Sequence, residues 1–119
     1  MTQDDLKART KEFALRVIKL VRALPKAVDG RAIAGQLIRS RTSVAANYRA
    51  SCRSRSKAEF VAKIGTVLEE ADESLLWLEL IVEANLLPRK RCEPLLLEAN
   101  ELVAIMAATR KSALGKQAI

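Results

Sequence analysis

Apolar residues recur at intervals of three and four along almost the whole chain, and the strict alternation of a half-buried strand is absent. Leu6, Phe13, Val17, Leu20 and Leu24, with Val21 widening the stripe, predict a helix over about residues 3–24. Thr2 is placed to cap it, Asp4 and Asp5 suit the positive end of its dipole, and Pro25 stops it. Asp29 and Gly30 signal a second entry. Ile33, Leu37, Val44, Tyr48 and Cys52 then mark the inner face of a helix over about 30–52.

Ser56 and Glu59 have the spacing of a capping box, predicting a third helix over about 57–85. Its core stripe is Phe60, Ile64, Val67, Leu68, Ala71, Leu75, Leu78 and Val82. The last helix is expected over about 93–114, with Leu95, Leu96, Ala99, Leu102, Val103 and Met106 inward and Gly115 as its stop. Pro94 in mid-helix would cost about 3 kcal/mol, so the pattern places it in the first turn.

Four such helices joined by short turns predict an all-α fold, an up-and-down antiparallel four-helix bundle forming one domain over residues 1–119. A chain of 119 residues can bury a core without disulfides or metals. Only Phe13, Tyr48, Phe60 and Trp77 are aromatic, so that core must be aliphatic.

Composition removes several functions. Histidine is absent, which excludes His-based acid/base chemistry, Ser-His-Asp and Cys-His nucleophiles and most transition-metal sites. Cys52 and Cys92 stand alone without CxxC spacing, and no apolar signal segment follows Met1, so the expected location is the reducing cytoplasm. No apolar run approaches the roughly 18 residues of a membrane span. The acids Glu69, Glu70, Asp72 and Glu73 lie on one unbroken helix with no Glu-x-x-His motif, which reads as surface charge or ion pairing, with no metal and no cofactor. Neither Ser40 nor Ser43 has a base in sequence reach, so no catalytic residue is assigned.

The distribution of charge is the most informative of these properties. Between residues 31 and 57, Arg31, Arg39, Arg41, Arg49, Arg53, Arg55 and Lys57 face no acid, whereas the rest of the chain balances 14 bases with 14 acids. At about 100° per residue, Arg31, Arg39, Arg49 and Arg53 share one flank of the second helix. With Arg55 and Lys57 they form a candidate surface for nucleic-acid backbone, in keeping with a pI near 9.9. Tyr48 is the only aromatic nearby, so base stacking is not expected. The competing reading is a solvated face, or arginines paired with the acidic third helix of the same or a neighbouring subunit.

A small polar stripe, Gln36, Ser40, Ser43 and Asn47, suits close helix packing. Trp77 is expected to point away from its helix's core, toward Glu70 and Glu73, and with the stripe makes a candidate subunit interface. Arg41 projects on the apolar side and calls for a carboxylate partner.

Residues 36–40 (QLIRS), 42–49 (TSVAANYR), 56–60 (SKAEF) and 68–74 (LEEADES), with Phe13-Ala14 and Leu24-Pro25, resemble the bacterial four-helix-bundle family encoded in intervening sequences of 23S ribosomal RNA genes. The likeness spans nearly the whole chain. It implies a ring-like homopentamer with no established enzymatic activity. The related accessory variability protein of retroelements implies, in addition, a basic barrel that engages a reverse transcriptase and nucleic acid. Gln36, Arg39, Ser43 and Asn47 match the family's second-helix signature. The expected function is thus a non-enzymatic oligomer that contacts RNA or DNA as accessory to a nucleic-acid enzyme, with a structural or protein-binding oligomer as the alternative.

Overall fold

The computed structural model describes residues 1–117, and the side chains of all of them except Arg41, Thr42, Lys116 and Gln117. Among these residues the chain forms α1 (Gln3–Val21), α2 (Val28–Ser51), α3 (Lys57–Glu83) and α4 (Arg89–Gln117), and no strand. Each helix packs against its sequence neighbours and α1 also meets α4, while among the described residues the backbones of the diagonal pairs do not approach closely. The result is a closed antiparallel rod of 51 × 21 × 19 Å.

The α1/α4 seam is the least intimate of the four. It is bridged by Arg9, whose Nε and Nη2 donate to both oxygens of Glu98 at 2.7 Å, while Nη2 also reaches Glu101 at 2.6 Å.

The helix ends follow local chemistry. Thr2 and Asp5 exchange reciprocal bonds, Asp5 N to Thr2 Oγ1 at 3.1 Å and Thr2 N to Asp5 Oδ2 at 2.9 Å, a complete capping box. These bonds hold the Asp5 carboxyl below the usual carboxylate range. In α3 only half of the expected box forms. Ser56 accepts from Glu59 N, but the Glu59 carboxylate turns to Lys63 and to Arg55 N. At the other end of α3, Asn85 takes a left-handed φ of 58°, Asn85 N bonds Val82 O, and Leu86 N bonds Ile81 O. That is a Schellman ending, with asparagine where glycine is commonest.

Two starts differ from the sequence reading. The last helix begins at Arg89, immediately after Pro88, so Pro94 lies in its second turn rather than its first. The lost hydrogen bond falls on the outside: Lys90 and Pro94 are both exposed, and water can satisfy the carbonyl that the proline ring leaves without a donor. The second helix begins at Val28, which puts Gly30 inside it. A Cβ at Gly30 would fall onto the carbonyl oxygen of Pro25. The glycine is therefore a packing requirement of the α1/α2 turn. Gly30→Ala should cost about 2 kcal/mol, within the usual range for overpacking; in urea denaturation, a loss below about 0.5 kcal/mol would show that the turn can give way.

The core is one cluster drawn from all four helices. Leu6, Phe13, Val17, Leu20 and Leu24 are buried as the periodicity requires, as are Leu37, Val44, Tyr48, Leu95, Ala99, Leu102 and Met106. In α3 the buried arc is turned toward α2. Val61, Ser74 and Ile81 are buried, while Phe60, Leu68, Leu75 and Val82 are only half-buried. The small side chains of the facing helix, with Ser40 fully buried on α2 and Ser74 on α3, fit this close approach.

Candidate nucleic-acid interface and subunit contact surface

The bundle topology separates charge. Residues 1–56, which make up the α1/α2 hairpin, carry 13 bases and 4 acids, net +9; residues 57–119 carry 8 bases and 10 acids, net −2. The basic residues read from the sequence do not form one patch, however. Helix α2 is 24 residues long, about 36 Å at 1.5 Å per residue, so Arg31 and Arg53 stand near opposite ends of the rod.

Arg31, Arg49, Arg53, Arg55 and Lys57 are all exposed. Arg39 is different. Its Nη1 and Nη2 lie 4.0 Å from Glu70 and 3.7 Å from Glu73, and Nη2 also donates to Gln36 Oε1 at 3.3 Å. Its charge is partly neutralised by the acidic third helix of its own subunit.

Arg49 and Arg53 line a groove of about 460 Å³ between α1 and α2. Lys7 and Lys11 of α1 are its other polar lining residues, and Ala14, Ala45, Ala46 and Ala50 form its floor. The two lysines were missed in the sequence reading, although their i, i+4 spacing beside Ala14 was available as a signal. Arg55 and Lys57 instead border a cavity of about 720 Å³ at the end of the bundle, with Leu6, Tyr48, Cys52 and Phe60. Burial pushes the Tyr48 phenol up, helped by the neighbouring Cys52 thiol, and burial likewise raises Cys92. Both cysteines are free.

The expected subunit surface is divided by the structure. Gln36 is exposed, and Ser43 and Asn47 are half-buried, but Ser40 is fully buried inside the subunit. Its hydroxyl therefore serves packing and does not reach the outside. Trp77 does not project freely either: it is half-buried against the core cluster, and its Nε1 is covered with no acceptor. Glu70 and Glu73 lie beside Arg39 of their own subunit. Burial and the adjacent Glu73 push the Glu70 carboxyl above its ordinary range against the opposing pull of Arg39. The expected buried ion pair of Arg41 falls on a side chain outside those described.

A second apolar surface was not anticipated. Between α3 and α4, Leu75, Val82, Leu96 and Leu97 line a groove of about 440 Å³ rimmed by Glu79, Glu83, Arg89 and Glu93. Leu76 and Leu97 are 48% and 61% exposed. The turning of α3 toward α2 leaves this edge open.

Among the described residues no group of three or more His, Cys, Asp or Glu is placed to hold a metal. No helix among them is long and apolar enough to cross a membrane. What the arrangement offers is charge display and packing surface.

Residues 4–108 match the 23S rRNA-intervening sequence protein family. The chain belongs to that family. The fold of this family member is similar to that of a protein of unknown function from the S23 ribosomal protein family of Bacteroides thetaiotaomicron VPI-5482. The TM-score is 0.85 at 29% identity, over 93% of this chain and 99% of that one. No curated protein matches significantly. The match spans nearly all of the α1/α2 hairpin and leaves out residues 1–3 and the end of α4.

Proposed function

We propose that this family member is a non-enzymatic homo-oligomer, a pentamer, that binds the backbone of RNA or DNA through α2 and the turn after it, as accessory to a nucleic-acid enzyme. The observation that carries the reading is the concentration of positive charge on the α1/α2 hairpin, net +9, with Arg49, Arg53 and Arg55 exposed and no carboxylate among the described residues that line the groove or the cavity they border. Repetition around a ring would multiply this field. With no aromatic residue in the groove, contacts go to phosphates, and sequence readout is slight. A cytoplasmic location accords with two unpaired thiols.

The alternative, an oligomer with no nucleic-acid role, is favoured by one specific feature: Arg39 is already held by Glu70 and Glu73. Generic RNA and duplex DNA titrated across a salt series separate the two. Wild type should show a log-log slope of several units on duplex DNA, at about 0.9 per neutralised phosphate, and Arg49→Gln/Arg53→Gln should reduce it by about two. Absence of binding to either nucleic acid at low salt would leave the structural oligomer as the answer.

A further inference from the structure

The groove between α1 and α2 has features that the charge of α2 alone does not explain. It has two cationic walls, Lys7 and Lys11 of α1 on one side and, on the other, Arg49 of α2 and Arg53 of the turn that follows it, with no carboxylate or aromatic side chain among its described lining residues. Lys7 and Lys11 are four residues apart on α1, about 6 Å along its axis, and Arg53 follows Arg49 by four residues, just past the end of α2. The walls themselves are separated by an interhelical distance of about 8–10 Å. The floor is four alanine methyl groups. The nearest acid is Asp4, 3.9 Å from Lys7 and itself almost fully exposed, so the local charge stays largely unneutralised.

We infer that this groove seats one phosphodiester strand, with Lys7 and Lys11 gripping it from the side opposite Arg49 and Arg53. The inference rests on the nucleic-acid reading above and assigns to it two residues of α1 and a path. Paired rows of long cations above a shallow alanine floor suit a chain whose charge repeats at short intervals and which needs no deep pocket. An acidic peptide helix, the other polyanion of similar charge, would have to bury an apolar face of its own, and four methyl groups give it little to bury against. Bases find no ring to stack on, so they must point out of the groove. The strand's exit lies toward Arg55 and Lys57, which follow Arg53 at the end of the bundle.

The rest of the surface shows why the groove is singled out. On the α1/α4 side, Arg16, Lys19 and Arg91 also gather round a cleft, but Glu98 and Glu101 flank that same seam through Arg9. The α3/α4 groove is rimmed by acids.

The test compares Lys7→Gln/Lys11→Gln with Lys90→Gln/Lys111→Gln, an equal loss of charge at exposed positions of α4. Both are made in the full chain and matched to wild type by circular dichroism and native mass spectrometry. The probes are a generic DNA duplex and one of its strands, titrated across a salt series. The groove variant should lose on the order of tenfold in affinity, with a duplex slope lower by about 1.8, while the α4 variant stays within about twofold. Equal losses in both variants would mean that only net charge matters, and the groove would be wrong. If Arg49→Gln/Arg53→Gln weakens binding but Lys7→Gln/Lys11→Gln does not, the α2 surface stands and the groove falls. If wild type binds neither probe, both readings fall. A changed oligomer mass in the Lys7→Gln/Lys11→Gln variant would make the groove a subunit contact and overturn the strand.

Discussion

Phe13→Ala will lower stability by about 3–5 kcal/mol, enough to move the thermal midpoint by roughly 15 °C in a domain of this size. Phe13 is 1% exposed and sits in the shared core. It is one of only two aromatic side chains among the largest fully buried residues, the other being Tyr48. In an aliphatic core no neighbour is large enough to refill the void, so the cavity adds to the lost transfer energy. The location on α1 sharpens the effect. This helix packs mainly on α2 and only lightly on α4, so its core residues carry most of what holds it to the bundle. Urea denaturation with an unchanged m-value measures the loss directly. A cost under about 1.5 kcal/mol would mean that α1 is not packed as described.

Arg9→Ala should cost about 2–3 kcal/mol. An exposed pair contributes about 0–1 kcal/mol and breaking a fully buried one costs about 3–5. The Arg9 and Glu98 side chains, 26% and 13% exposed, stand between these limits. The substitution leaves Glu98 nearly covered and without its bidentate partner at the loosest seam of the bundle. Arg9→Lys keeps the charge but not the fork and should recover only part of the loss.

A pH signature accompanies this pair. The hydrogen bond from Arg9 holds the Glu98 carboxyl below its ordinary range. Its contribution is therefore present above the unfolded value, about 4.3, and is lost as pH falls through the lower folded value. Wild type should accordingly lose stability more steeply than Arg9→Ala on acidification below about pH 5. Parallel acid limbs in the two proteins would show that the network does not hold Glu98 in its ionised form.

The tertiary structure changes the meaning of two local signals. Trp77 sits on the α2 edge of α3, and angular counting from the sequence placed it outside the core. The turn of α3 toward α2 instead brings it half under cover, while Leu75 and Val82 move to the opposite edge and open toward Leu97. Gly30 read as a helix entry signal, but the constraint upon it is the carbonyl of Pro25 across the turn. Both depend on how two helices approach each other, a relation that no single helical wheel contains.

By itself the sequence determined the helix count, the capping by Thr2 and Ser56, most of the inner faces of α1 and α4, and the absence of histidine chemistry. These are local properties, set by spacing and by the backbone preferences of neighbouring residues. It also made the charge excess look confined to residues 31–57, because the remaining 14 bases and 14 acids cancel as a sum. That sum hides a split along the chain, an excess of bases before residue 31 and of acids after residue 57, and the tertiary structure decides which of these charges meet. Folding sets α1, with Lys7 and Lys11, beside Arg49 and Arg53, and puts the acids of α3 on the other hairpin, where they reach Arg39 alone among the described side chains of α2. Coulomb interactions weaken with distance, over a Debye length of about 8 Å in physiological salt. Which charges act together is thus decided by helix packing, and the order of residues along the chain cannot supply it.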